Sequence, residues 1–271
     1  MRCLAVLAGL GAAALAASAI TFYAGWYDTS ATDQHLAPTY WLLDTGMKRS
    51  VKQRAETIVV PPLDDPALAL RGAAHYKRDC EQCHGGPGVA PQPFALGMTP
   101  APAMLAHTGA HWQPAELFWA IKEGIKMTGM PAWKYRLVDE DIWAVVAFVQ
   151  RLPKLSPGEY RALAAPPRHA HAEPRAGGDG DPARGRQAIN QYWCVNCHRI
   201  PGIVGANAPV GPPLDAIGTR GLIAGVLPNT RDNMVRWLRN PRQFAPESAM
   251  PDLGLTERDA RDIAAYLETL K

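Results

Sequence analysis

The sequence has little cysteine, five residues in 271, too few for a disulfide-stapled scaffold. It has no excess of either charge. Lys and Arg number 28 against 25 Asp and Glu, a net +3, scattered rather than striped, which excludes a nucleic-acid binder. Charged residues make up only 20% of the chain against 47% hydrophobic ones, a globular mix that excludes wholesale disorder. The sequence shows no nucleophile–base pair, no phosphate-cradling glycine loop and no paired-carboxylate site. What it has in quantity is proline (25) and glycine (24), high for a helical bundle and a sign of many loops. The length fits one or two domains.

Four of the five cysteines fall into two motifs. Cys80-Glu81-Gln82-Cys83-His84 and Cys194-Val195-Asn196-Cys197-His198 both read CxxCH, the c-type haem attachment pattern. The chemistry explains the spacing. Two thiols add across the two vinyl groups of one haem, each S–H giving a C–S bond and a C–H bond. The adjoining histidine is thereby held under the iron as its proximal ligand. Chance matches number on the order of 0.003 in a chain of this composition, so two copies are decisive. A thioredoxin-like CxxC does not require His next in line twice, and a zinc site shared by both pairs leaves the histidines without a part. Cys3 stands alone and receives no role.

Each haem needs a sixth ligand, and methionine sulfur is the usual one in electron-transfer c-type haems. Met130 lies in Thr128-Gly129-Met130-Pro131, 46 residues after His84, and Met250 in Ser248-Ala249-Met250-Pro251, 52 residues after His198. Each sits in a Pro-marked loop just before a C-terminal helix. With a CxxCH near the start and a Met-Pro loop near the end, each half resembles a class I cytochrome c domain. The resemblance covers about residues 67–153 and 182–271. It implies two covalently bound haem c groups held by Cys80 and Cys83 and by Cys194 and Cys197, with His84 and Met130, and His198 and Met250, as iron ligands. Met127 is the rival to Met130 and reads as a packing residue, as do Met98, Met104 and Met234. In the second half Gly211-Pro212-Pro213-Leu214 resembles the family's Gly-Pro-x-Leu segment, which implies that the Pro212 carbonyl accepts a hydrogen bond from His198. The first half lacks that tetrapeptide, and Pro91 or Pro93 stands in its place. His75, His107 and His111 read as surface or propionate-contact residues.

The helical pattern agrees with a mainly α fold. Ile142, Val145, Val146 and Val149 make one apolar stripe. Ile263, Tyr266, Leu267 and Leu270 make another, opened by Thr256 with Asp259 as its capping-box partner. Short helices carrying Gly72 and Gly185 precede the haem motifs. The resemblance implies that each crosses the C-terminal helix of its own half closely, with Phe148 and Tyr266 at the crossings. Domains under 100 residues build thin cores, and a tethered apolar haem supplies what each lacks. Leu155 to Asp181, rich in Pro, Gly and charge and including His169 and His171, reads as a linker. The organisation expected is an anchor at 1–27, a stalk at 28–66, a first cytochrome domain at 67–153, a linker at 154–181 and a second cytochrome domain at 182–271.

The one long uncharged run, Leu4 to Trp26, spans about 34 Å as a helix, enough to cross a bilayer. Arg2 precedes it and Asp28 follows, so the positive-inside rule leaves the haem domains outside the cytoplasm. Phe22, Tyr23, Trp26 and Tyr27 would form the interfacial belt. The competing reading is a signal peptide cleaved after Ala17-Ser18-Ala19. The apolar run continues past Ala19 and the aromatics have no use in a removed peptide, so the anchor is preferred. The stretch from His35 to Val60 reads as a stalk helix near the membrane or against a partner subunit, or as a spacer. The function expected is electron transfer by a membrane-anchored di-haem cytochrome c. The donor is a periplasmic dehydrogenase or quinol-oxidising complex, and the acceptor a terminal oxidase or small soluble cytochrome. The alternative is a di-haem peroxidase, which needs one displaceable distal ligand and a nearby acid–base residue.

Overall fold

The structure, a computed structural model, describes residues 2–163 and 178–271. His169 and His171, expected in the linker, lie outside the described residues. The helix α1 (Arg2–Tyr23) buries none of its residues and is long and apolar enough to cross a membrane. Two compact units follow: residues up to 133 with 139–163, and Lys134–Val138 with 178–271.

In the first unit α2 (Ala37–Ala55) buries Val51 and Ala55 and packs on α4 (Pro114–Glu123). The helix α3 (Pro66–His75) is started by Asp65, whose carboxylate accepts from the Ala67 N–H at 2.9 Å, with Pro66 in the first turn. It runs on through a π turn, Tyr76–Cys80, into the short helix Glu81–His84. The helix α5 (Asp139–Arg151) opens with three acidic residues against its positive end. Its stripe of Ile142, Val145, Val146 and Val149 is buried as the periodicity predicts.

The first stretch of the expected linker differs from expectation. Ser156 caps α6 (Pro157–Ala162) with a reciprocal Ser156–Glu159 capping box. Tyr160 is fully buried there, its hydroxyl donating to Glu81 and its ring 6.4 Å from Phe148, which lies 5.3 Å from Tyr76. A helix of six residues with one buried aromatic shows no period that a sequence scan could register.

The second unit repeats the plan. Asp181 caps α7 (Pro182–Gln191), accepting from Ala183 N–H at 2.8 Å. A two-stranded antiparallel hairpin, β1 (Leu222–Ile223) and β2 (Leu227–Pro228), precedes α8 (Arg231–Arg239). The helix α9 (Glu257–Glu268) closes the core of Ile189, Ile200, Met234, Trp237, Leu238 and Ile263. Thr256 caps α9 as expected, accepting from Asp259 N–H at 3.1 Å. The Asp259 carboxylate does not complete a capping box. It is buried and accepts instead from the Tyr192 hydroxyl at 2.7 Å and from Arg136 at 2.9 Å. Burial first, then that carboxylate, pushes the Tyr192 phenol up to about 12, so the hydroxyl remains the donor.

The helix crossings decide where the haem motifs sit. In the first unit α3 packs on α5, and a Cβ on Gly72 would lie 1.9 Å from the Ala144 carbonyl oxygen. In the second, α7 packs on α9, and a Cβ on Gly185 would lie 1.9 Å from the Asp262 carbonyl oxygen. Asp262, itself buried, reinforces this crossing by accepting from Asp181 N–H at 2.7 Å and Arg184 Nε at 2.9 Å. Replacing a helical glycine by alanine ordinarily gains about 1 kcal/mol. At these two positions overpacking against backbone costs about 1–3 kcal/mol or more and reverses the sign. Gly72→Ala and Gly185→Ala are each expected to lower the unfolding temperature of their own unit in calorimetry. An unchanged or raised transition would show that the helices separate freely.

Candidate functional site

Each CxxCH follows the helix that crosses the C-terminal helix of its half, α3 or α7, but the chain delivers it differently. In the first, the π turn carries α3 continuously into Cys80, and Gly85, at φ 59°, ends the turn after His84. In the second, α7 stops at Tyr192. Trp193 takes a left-handed φ of 57° before the turn Cys194–Asn196. A bulky residue there is strained. The four motif cysteines are not bridged to one another. Burial pushes the Cys80 thiol up to about 12 and the Cys194 thiol up to about 11. Both surroundings thus disfavour a thiolate, and a thioether, which has no proton to lose, suits them.

The two histidines are oriented alike. The His84 ring lies 2.7 Å, Nδ1 to O, from the Ala103 carbonyl, and the His198 ring 2.7 Å from the Pro212 carbonyl. A carbonyl only accepts, so Nδ1 carries a proton, and in the neutral ring Nε2 would keep its lone pair for a metal. Burial lowers the His84 pKa, and the bond to Ala103 only partly offsets this, which favours the neutral ring. The Pro212 partner is the one the tetrapeptide implied. In the first unit the acceptor is Ala103, not Pro91 or Pro93. Nineteen residues separate it from His84, and a bare carbonyl has no side-chain signature by which a sequence could mark it. Gly211 was also missed as a contact. A Cβ there would lie 2.6 Å from His198 Cε1, so only glycine lets the backbone run flat beside the ring.

The two methionine loops share a closure. Met130 N–H donates to Thr128 Oγ1 at 3.1 Å, and Met250 N–H to Ser248 Oγ at 3.2 Å. Thr128 Oγ1 in turn donates to the Ile125 carbonyl at 2.8 Å, and Ile125 N–H to the Met130 carbonyl at 3.2 Å. The hydroxyl two residues before each methionine is legible in the sequence as a repeated element. Met130 and Met250 are half-buried. Met127 is 81% exposed at φ 63°, at the outside of its loop. Met98 is more than filler: a Cβ on Gly129 would lie 1.7 Å from its methyl group, so it lies directly against the residue before Met130. His75 is engaged with Asp141 at 3.3 Å and Arg78 at 2.7 Å, and His107 and His111 are exposed. Among the described residues no cluster of three or more His, Cys, Asp or Glu forms a metal site.

Comparison with known proteins agrees with this reading. Residues 67–149 match the family "Cytochrome C oxidase, cbb3-type, subunit III", and residues 182–271 match the family "Cytochrome c". The chain is 33% identical over 89 residues to a protein named cytochrome c oxidase subunit 2 from Alkalihalophilus pseudofirmus, covering 32% of this chain and 25% of that one. It is 32% identical over 93 residues to a protein of the same name from Bacillus sp. strain PS3, covering 33% and 26%. The chain thus spans about a quarter of the length of the curated relatives it matches. No solved structure gives a significant match.

The thiol pairs and the oriented histidines fit covalently bound haem, and two cytochrome c domains mean two haem c groups per chain. Denatured protein should retain two haems by the pyridine haemochrome assay and by mass. Cys83→Ala and Cys197→Ala should each leave one haem held by a single thioether. One haem per chain, or bound zinc, would refute the assignment.

Proposed function

We propose that this chain, a di-haem c-type cytochrome with two cytochrome c-type domains in tandem, carries single electrons and has no catalytic reaction of its own. The observation behind this reading is the duplicated site. Each unit pairs a histidine oriented by a backbone carbonyl with a methionine in a loop closed by its own hydrogen bonds. In this reading His84 and Met130 ligate the first iron, and His198 and Met250 the second. When bound, the haems would supply one-electron redox chemistry. The protein's part would be to keep His84 and Met130, and His198 and Met250, in place as ligands, so that neither water nor peroxide reaches the metal. Thr128 and Ser248 serve this by fixing the methionine backbone, since displacing the sulfur also means breaking the turn.

The donor would be a periplasmic dehydrogenase or a quinol-oxidising complex, the acceptor a terminal oxidase or small cytochrome. An oxidase is favoured by the family match of residues 67–149 and by the names of the two relatives. The same matches support a place as a subunit of such an assembly. The helix α1 would anchor the chain in the cytoplasmic membrane. Arg2 before the run, by the positive-inside rule, supports a periplasmic side for the haem domains.

A carrier and a di-haem peroxidase differ in whether one iron is open. Titrated with carbon monoxide, the fully reduced native protein should bind essentially none, and peroxide turnover with a reduced cytochrome as donor should be negligible. Met130→Ala and Met250→Ala should each create about one carbon monoxide site per chain, abolish one sulfur–iron charge-transfer band and lower one reduction potential. Met127→Ala should change none of these. Stoichiometric carbon monoxide binding to native protein, with fast peroxide reduction, would overturn the carrier assignment in favour of the peroxidase.

A further inference from the structure

The first turns of α2 expose apolar side chains on every side. Successive helical residues are rotated by about 100°, so Tyr40, Trp41, Leu42 and Leu43 point in four directions around the axis. They are nonetheless 54%, 65%, 63% and 44% exposed, and Leu36, just before the helix, is exposed as well. No packing on one side of the helix can account for this, because an apolar surface around the whole circumference calls for an apolar surrounding. The second half of α2 is built differently. Val51 and Ala55 are buried where it packs on α4, and Arg54 lies 5.9 Å from the Trp119 ring. Lys48, Arg49, Lys52 and Arg54 are exposed there, against Asp44 and Glu56. One half of the helix is thus fastened to its domain and the other projects from it, with cations ringing the middle.

We propose that the projecting turns, Leu36–Leu43, are seated in the lipid interface of an anionic membrane, a second attachment beyond α1. The proposal rests on the reading of α1 as a membrane anchor. Three features favour lipid over a protein partner. The first is continuity: α1 ends at Tyr23, and the twelve residues before Leu36 reach at most about 40 Å, so the start of α2 stays near the membrane surface. The segment between is tied back to the unit, with Thr99 Oγ1 donating to the Ala31 carbonyl at 2.7 Å, which restricts that reach further. The second is composition, since Tyr and Trp with aliphatic neighbours are the side chains that the interface favours, polar tips outward and bodies in the acyl region. The third is the gradient along the axis. Eight residues of chain in or entering the helix span about 12 Å, comparable to the depth of interfacial burial, and the cations that follow lie at headgroup level, where each contributes about 1 kcal/mol toward anionic lipid. The consequence is orientational. A single transmembrane helix leaves its domain free to swivel, whereas two attachments hold the first unit in a fixed attitude to the bilayer.

The test uses the full holoprotein, alone, in nanodiscs of phosphatidylcholine and phosphatidylglycerol doped with a phospholipid carrying a diazirine near the head of its acyl chain. After irradiation, lipid adducts are mapped by mass spectrometry. Adducts are expected in α1 and in Leu36–Leu43, with Lys48–Ala55 unlabelled. The double variant Trp41→Gln, Leu42→Gln changes only exposed side chains. It should lower the adduct yield at Leu36–Leu43 by about fivefold or more, with α1 labelling and haem content unchanged. Labelling in α1 with none in Leu36–Leu43 would overturn this proposal and leave the anchor standing. Absence of labelling in α1 would instead defeat the anchor reading itself.

Discussion

A neutral histidine that gives its one N–H to a backbone carbonyl has nothing left to offer but a lone pair, and each unit holds a histidine against such a carbonyl. His84 on the Ala103 carbonyl and His198 on the Pro212 carbonyl have the same 2.7 Å contact. The ring cannot rotate without losing the bond or, in the second unit, meeting Gly211. In the proposed ligation, fixing the tautomer and the plane of the ring would fix the direction in which each histidine offers its lone pair to the haem iron. A ring free to flip would exchange ligand and donor nitrogens and leave the iron unsupported.

Holding that geometry in so small a unit requires a rigid frame, and the glycine-mediated helix crossing supplies it. At Gly72 and at Gly185 one helix lies directly on the backbone of another, closer than any side-chain layer permits. The crossing brings the helix that carries the CxxCH against the helix that follows the methionine loop. The two units reinforce it differently. The first adds an aromatic series, Tyr76, Phe148 and Tyr160, and recruits α6 from the stretch after the domain to complete it. The second adds buried carboxylates, Asp262 joined to Arg184 and Asp181, and Asp259 joined to Tyr192 and Arg136. A buried charge is tolerated only when its hydrogen bonds are satisfied, and both carboxylates are.

Polarity is distributed according to what each surface meets. Exposed apolar side chains run continuously along α1 and the first turns of α2, while in the bodies of the units they are dispersed, Leu70, Phe94, Trp193 and Val204 among them. With a net charge of only +3, long-range steering of a redox partner is weak, so local fit at the docking face must do more of the selecting.

The sequence alone determined what is written in covalent chemistry and in short spacing. Two CxxCH motifs, two Met-Pro loops, an uncharged run of membrane-spanning length and two apolar stripes at helical period each carry their meaning in residue types a few positions apart. From them followed a mainly α tandem of cytochrome c domains with two haems. What only the tertiary structure decided concerns groups that side-chain identity does not mark. The carbonyl that receives His84 belongs to Ala103, an alanine like any other. Tyr160 is core rather than linker because distant Phe148 and Glu81 lie beside it. Asp259 leaves the capping box for Tyr192 and Arg136, because a buried carboxylate gains more from two strong donors than from a helix end in water. The physical reason is the same in each case. Spacing along the chain encodes local geometry, whereas a hydrogen bond or a packed ring between residues far apart in the chain exists only once the fold has brought them together.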